Sequence, residues 1–397
     1  MTHDTDIPQG YKATALGVIP QKWEVKFLGD LLSRCTNGLT YDVSITCGIP
    51  VTRIETISTG EINYAKVGYI PNESGYETFR MQKGDILYSH INSLSQIGKV
   101  AYYKGDKEIY HGMNLLLLRA NNCLDKQYLY YTLLTEHMRH MAQIIAKPAV
   151  NQASISTSDL KRVKIAVPPL AEQRKIAEVL GVWDEAIEKQ ARLIEKLALR
   201  KRGLMQRLLS AKLRLPGFSD PWKELKINKI TIIRKGEQVN KDVLFSNAKY
   251  PVINGGITPS GYLDIYNTKA NTITISEGGN SCGYVNFMTT PFWSGGHCYT
   301  IEAKDGINNL FIYQLLKNNE KYIMSLRVGS GLPNIQIKDL GNLKFMIPTY
   351  QEQTAIAEVL TASDREIELA KEKLERLRRQ KRGLMQQLLT GKKRVKY

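Results

Sequence analysis

The side chains of this 397-residue chain that could do chemistry are cations and amides on turn-rich stretches. Arg34, Asn37 and Arg53 belong to a first set, with the stretch running from Ser89 through Asn92 to Lys99, and with Lys147, Asn151 and Gln152. Arg234, Lys235 and Asn254 belong to a second, with the stretch Ser276 to Asn280, and with Arg327, Ser330, Asn334 and Gln336. Lys and Arg neutralise phosphates, while amide and guanidinium groups on loops can reach base edges. Gly278, Gly279, Gly329 and Gly331 would let backbone approach a phosphate closely. For each residue taken singly, the plainer reading is a solvated loop side chain. The strand aromatics Tyr88 and Phe287 read as core.

Catalytic patterns are missing. Gly98-Lys99 lacks the upstream glycine and the following Ser or Thr of a phosphate-binding loop. No glycine-rich cofactor loop opens a βαβ unit, and no Asn/Asp-Pro-Pro-aromatic motif is present to hold an amine for methylation. There is no HExxH and no nucleophile elbow. Glu302-Ala303-Lys304 ends in the carboxylate–x–lysine order of some nuclease sites, but it reads as solvated charge at a strand end. His137 and His140 lie one turn apart with no further ligands, so a surface pair is expected rather than a metal site.

Composition points the same way. Lys and Arg total 55 against 38 Asp and Glu, a net charge of +17, which calls for an anionic partner and most simply nucleic acid. The five cysteines (35, 47, 123, 282 and 298) are scattered and odd in number, as expected for reduced thiols in a cytoplasm. No signal peptide opens the chain and no apolar run is long enough to span a membrane.

The elements that must position these side chains come in duplicate. Residues 168–209 and 348–389 align without a gap at an offset of 180, and 21 of 42 positions are identical, including EQ, IAEVL and KRGLMQ. Each copy reads as one long helix after Pro168 or Pro348. Ile176, Leu180, Trp183, Ile187, Ile194, Leu197, Leu204 and Leu208 form a heptad stripe in the first. Ile356, Leu360, Ile367, Leu374, Leu377, Leu384 and Leu388 repeat it in the second. Gln190, Lys201, Ser363, Ala370 and Lys381 interrupt the seam. About 40 residues make a helix of about 60 Å, which cannot bury its stripe alone. The other copy is the economical partner; the plainer alternative packs each helix on its own globular neighbour.

Ahead of each long helix the order of elements repeats. Trp23 and Trp222 introduce an apolar stretch. Residues 33–122 and 231–303 carry short β-branched runs broken by turns about every ten residues, the pattern of a curled, mostly antiparallel sheet. Residues 125–145 and 307–327 read as helices, and KPAVNQASISTSDL reads as a polar loop before the strand VKIAV. The long helices match closely, whereas the sheet regions match in pattern and hardly in residues. A duplicated scaffold carrying two different surfaces has this signature.

The segments YKATALGVIPQKWEVKFLGDL, IAVPPLAEQRKIAEVL, KRGLMQRLL, LRLPGFSDPWKE, MIPTYQEQTAIAEVL and KRGLMQQLL resemble the specificity subunits of type I restriction–modification systems over essentially the whole chain. The second helix departs from the PPLxEQ pattern, with Thr349 in place of the second proline. The resemblance implies an α+β fold with an internal pseudo-twofold repeat. Two target recognition domains, residues 1–165 and 214–345, would alternate with long helices in 166–213 and in 346–397, the latter ending in a basic tail. The helices would pair as an antiparallel coiled coil. It implies a non-catalytic subunit that reads two half-sites of double-stranded DNA across an unread spacer set by the helices. It further implies assembly with two methyltransferase subunits, which would bind S-adenosylmethionine, and with restriction/translocase subunits; this chain itself would carry no cofactor. Lys201, Arg202, Lys381 and Arg382, in the two KRGLMQ segments, are the candidate subunit-binding residues. The alternatives are the specificity portion of a fused restriction–methyltransferase and a coiled-coil scaffold with no DNA role.

Overall fold

A computed structural model of the chain describes residues 7–150, 152–329 and 333–396. The expected site residues Asn151 and Ser330, and Gly331, lie outside the described residues. Backbone contacts divide the chain into two compact units, Met1–Lys189 with Leu374–Tyr397, and Gln190–Lys373. Each unit therefore joins one globular domain to the start of one long helix and the end of the other.

In the first unit, a four-stranded antiparallel sheet has the order Leu32–Asn37, Leu116–Ala120, Ile86–Tyr88, Val100–Tyr102. In the second, the order Thr231–Lys235, Cys298–Ala303, Thr272–Ser276, Val285–Met288 repeats it. Runs of Leu, Ile and Val supply the strands, as β-branched and apolar residues fit a half-buried pleat. Strand Glu24–Phe27 pairs with Lys164–Val167 just before the first long helix, and Lys223–Lys226 pairs with Lys344–Ile347 before the second.

Two expected elements differ. The helix expected over 125–145 is two helices, Lys126–Leu133 and Glu136–Ile145, because Thr135 accepts from the Met138 N–H and starts a new one. The stretch over 307–327 likewise divides into Asn309–Asn318 and Glu320–Ser325. The polar stretch after the first pair is not a plain loop. Lys147–Ala149 pairs with Gln152–Ser154, which pairs in turn with Ile91–Asn92.

The long helices run unbroken over Leu170–Leu208 and Tyr350–Leu388. Their ends pack on the domains. Ile176, Leu180, Leu388 and Leu389 are buried with Trp23, Leu28 and Tyr128, and Leu208, Ile356 and Leu360 with Ile227 and Phe311. Their middles pack on each other, where Ile194 and Leu197 meet Ile367 and Ala370. Both expected packings are thus present, on different stretches. The pairing is antiparallel: Lys201 Nζ lies 2.5 Å from Asp364, and Gln190 Nε2 donates to the Ala370 carbonyl at 3.0 Å. In the other unit Lys381 meets Asp184 at 2.5 Å.

The repeated EQ explains how each helix start is locked. Glu172 is fully buried; it accepts from Trp23 Nε1 at 3.0 Å and from the Arg394 guanidinium at 2.5 and 2.7 Å. Glu352 accepts from Trp222 Nε1 at 3.1 Å and from Arg214 at 2.6 and 2.9 Å. Gln173 donates to the Pro168 carbonyl and accepts from the Asp125 N–H; Gln353 does the same with Pro348 and Asn308. Asp125 and Asn308 each cap the next helix. One buried Glu-Gln pair thus ties the opening Trp, the short helix and the long helix together, satisfying polar groups that burial would otherwise penalise.

Candidate nucleic-acid interface

In the first unit, the sheet places several expected residues at one end. Asn37 ends its strand opposite Leu116, which faces Tyr88, so Asn37 and the Ser89–Asn92 stretch are neighbours. Asn37 Nδ2 donates to the Met113 carbonyl at 3.2 Å and lies 3.4 Å from His90 Nε2. Asn92 Nδ2 donates to Ser89 Oγ at 3.2 Å, and Asn92 pairs with Ala153, next to Gln152. Lys147 sits in the same small sheet but pairs with Asp159 at 3.3 Å. Lys99 turns its ammonium to the Ser58 carbonyl at 2.8 Å. Arg34 and Arg53 are held elsewhere. Arg34 donates to the Thr78 carbonyl and lies over the Phe79 ring, and Arg53 lies over Tyr41 beside Glu55.

In the second unit, Lys235, Asn254, Ser276, Asn334 and Gln336 gather around Glu277. Lys235 Nζ is 2.6 Å from Glu277 Oε1, which also accepts from Tyr299 Oη at 3.1 Å. Asn254 Oδ1 accepts from the His297 N–H at 3.0 Å, and His297 Nδ1 is 3.5 Å from Glu277 Oε2. Asn334 bridges Gly278 across the backbone and accepts from Gln336 Nε2 at 3.0 Å. Asn280 and Arg327 are exposed. Arg234 points away from this group and pairs with Glu302 at 2.8 Å, both exposed, so Glu302 is the solvated strand-end charge its tripeptide suggested.

Ser89 and Ser276 correct the expectation of exposed loop hydroxyls. Both are buried; Ser276 Oγ donates to the Gly255 carbonyl at 2.5 Å, and Ser89 Oγ accepts from Asn92. They brace the loops from beneath, because a buried hydroxyl must find a partner inside the protein. Lys201 and Lys381 are corrected similarly: each is committed to an aspartate across the helix seam, with only 12% of its side chain exposed. Arg202 and Arg382 are exposed, and Arg382 shares a cleft with Arg139 and Arg378.

His90, Glu277 and His297 were not singled out from the sequence, although the first two lie inside the chosen stretches. Burial holds the His90 and His111 imidazoles at a pKa of about 4, so both rings are neutral. Burial also raises the Cys298 thiol to about 11, an inert sulfur rather than a nucleophile. Among the described residues no group of His, Cys, Asp and Glu could hold a metal ion, and no helix is long and apolar enough to cross a membrane.

The family model described as the type I restriction modification DNA specificity domain matches residues 20–198 and again residues 219–379. The chain is 36% identical over 418 residues to the putative type I restriction enzyme MjaX specificity subunit of Methanocaldococcus jannaschii, covering 98% of this chain and 97% of that one. It is 27% identical over 192 residues to the type I restriction enzyme EcoKI specificity subunit of Escherichia coli, 45% of this chain and 40% of that one. Its fold resembles the crystal structure of the type I restriction-modification S subunit from M. genitalium, with a TM-score of 0.63 at 21% identity over 98% of both chains.

Proposed function

The chain belongs to the type I restriction–modification DNA specificity family, and from that premise we propose that each of its two domains reads one half of a bipartite, asymmetric DNA site. As a specificity subunit it is a DNA-recognition component and not itself a catalyst. One observation carries the half-site reading. Two sheets of identical strand order, each beside the same Glu-Gln lock, present different polar groups at the corresponding end: an amide beside a neutral imidazole in one, an ammonium–carboxylate cluster in the other. Equal frames with unequal chemistry suit two different half-sites. Asn37, Asn92 and Gln152 in the first domain and Lys235, Asn254, Asn334 and Gln336 in the second are the proposed contact groups. The net charge of +17 supports phosphate neutralisation around them.

The long helices, each unbroken over 39 residues, are proposed to set the unread spacer. Two methyltransferase subunits, which would carry S-adenosylmethionine, dock on the repeated KRGLMQ surfaces through Arg202 and Arg382, and translocating nuclease subunits complete the assembly. The exposed arginines of the Arg382 cleft suit an acidic segment of such a partner.

The test is to co-produce the chain with its methyltransferase and map methylated positions in DNA by sequencing. An asymmetric bipartite site with one spacer length is expected. A contiguous site, or a palindrome, would overturn the reading. Inserting two heptads at matched places near Gln190 and Ala370 should lengthen the spacer and leave both half-sites unchanged.

A further inference from the structure

Backbone hydrogen bonds place His90 and Glu277 at one and the same position of the two domains. The Ser89 N–H donates to the Lys99 carbonyl and the Gly98 N–H to the Ser89 carbonyl, both at 2.8 Å. The Ser276 N–H donates to the Tyr284 carbonyl at 3.0 Å and the Gly283 N–H to the Ser276 carbonyl at 2.8 Å. Gly98 and Gly283 both have positive φ, 78° and 87°, and both lie against a short helix, with Ala142 and Met324 as the nearest neighbours of an added Cβ. The next carbonyl along, that of His90 or Glu277, accepts from Ile155 at 2.8 Å or Ile335 at 2.9 Å, isoleucines that are 180 residues apart. Asn37 and Lys235 correspond as well. Asn37 faces Leu116 and then Tyr88, while Lys235 faces Tyr299 and then Ile275.

The frame repeats side chains at several of its fixed points, as at Glu172 and Glu352, Gln173 and Gln353, or Ser89 and Ser276. At this position it does not. Both residues are buried, at 5% and 8% exposure, and each keeps a polar atom without a hydrogen bond: His90 Nδ1, and Glu277 Oε2, whose polar neighbour is His297 Nδ1 at 3.5 Å. An unsatisfied buried polar atom costs about 1–3 kcal/mol, so a purely structural position would be expected to avoid it. Above each lies an exposed polar residue, Asn37 or Lys235, whose free hydrogen-bonding capacity the buried residue sets.

We infer that His90 and Glu277 are positioning residues that decide what each domain offers to DNA at this point: Asn37 an acceptor, Lys235 a donor. This rests on the half-site reading above. The Met113 carbonyl can only accept, so it takes one Asn37 N–H; with Asn37 Nδ2 so oriented, a neutral His90 in its Nδ1–H tautomer presents Nε2 as acceptor to the other. The amide oxygen of Asn37 is left facing outward, and an outward acceptor pairs with the exocyclic amine of adenine or cytosine. Lys235 gives one N–H to Glu277 Oε1 and keeps two donors, which fit the O6 and N7 acceptors of guanine in the major groove. The two domains therefore read opposite hydrogen-bonding polarity with the same piece of sheet.

The experiment uses the full chain assembled with its methyltransferase, with methylation mapped on a randomised DNA library. His90→Leu frees one Asn37 N–H and lets the amide turn. Discrimination at one base pair of the first half-site should fall roughly tenfold, with the second half-site untouched. His90→Gln, which keeps an acceptor, should recover most of it. Asn37→Lys, on an exposed residue and therefore safe for folding, should change the preferred base at that same position. Lys235→Met should erase a guanine preference at one position of the second half-site only. A merely structural role would lower methylation of every site alike without altering its sequence. If the unsubstituted chain modifies a bipartite site and Asn37→Lys and Lys235→Met modify the same site with the same preferences, this inference falls and the half-site reading stands. If the unsubstituted chain modifies no bipartite site, both fall.

Discussion

The starts of the two long helices are built alike and closed differently. Glu172 and Glu352 are each buried, each hold a tryptophan N–H, and each bind an arginine through both carboxylate oxygens. Arg214 follows the first long helix and closes the second unit from within the middle of the chain. Arg394 follows the second long helix and closes the first unit from the far end of the chain, 222 residues from its partner. The turn beforehand is also repeated: the Leu213 N–H donates to Arg207 and the Lys393 N–H to Gln387, each at 3.0 Å, with positive φ at Ala211 and Gly391. What reads as a basic tail is therefore the second copy of a structural plug. The same contact is local to one segment in one unit and depends on both ends of the chain in the other.

Breaking that contact has the largest expected effect. Glu172→Ala leaves Arg394 and Trp23 without their shared acceptor, and Glu352→Ala does the same to Arg214 and Trp222. Removing one partner of a buried pair costs about 3–5 kcal/mol, and each variant should lose hydrogen-exchange protection in its own unit. Uniform loss across both units would contradict the local role of the lock.

Truncation before Gly391 sharpens the comparison. It removes Arg394 and also the Tyr11 Oη donation to the Gly391 carbonyl at 3.0 Å. The first unit should lose about 3–5 kcal/mol, since buried Glu172 keeps only its tryptophan, while the second keeps its protection. Equal protection of both units before and after truncation would show the plug to be idle.

Acid separates the units in the same direction. The described part of the second unit has one histidine, the exposed His297; that of the first has, besides the exposed His137 and His140, the buried His90 and His111, both neutral with pKa values of about 4. Their folded pKa values lie below the unfolded value of about 6.5. The stability they contribute is therefore complete above pH 6.5 and is lost as pH falls from there through 4. Hydrogen exchange across this range should show the first unit opening at higher pH than the second, and the reverse order would contradict the burial argument.

The smallest effect is expected in the helix seam. Gln190→Leu removes one amide donation to a carbonyl already inside a helix and adds apolar packing beside Leu197. Its stability change should stay within about 1 kcal/mol of zero by chemical denaturation. A loss above about 3 kcal/mol would make this amide a principal element of the pairing.

The sequence by itself determined the duplication, the two long helices, the repeated order of elements along the chain and the charge that calls for DNA. Those follow from periodicity, offset and composition, all of which are local or additive along the chain. The stretches Ser89–Lys99 and Ser276–Asn280, chosen from the sequence, lie at the sheet ends beside Asn37 and Lys235. The sequence left open which residues in them matter. Ser89 and His90 are adjacent polar letters just past the strand Ile86–Tyr88 and both are buried, yet one braces the loop and the other lies beneath an exposed amide. The heptad pattern set Lys201 and Lys381 in the helix seam, but only the tertiary structure decided that each is committed there to an aspartate, because those aspartates are 163 and 197 residues away. The tertiary structure alone turned Arg394 from a tail cation into the closure of Glu172. Distance along the chain carries no information about such contacts; burial does, because a charge taken out of water must find its counter-charge wherever folding has brought it.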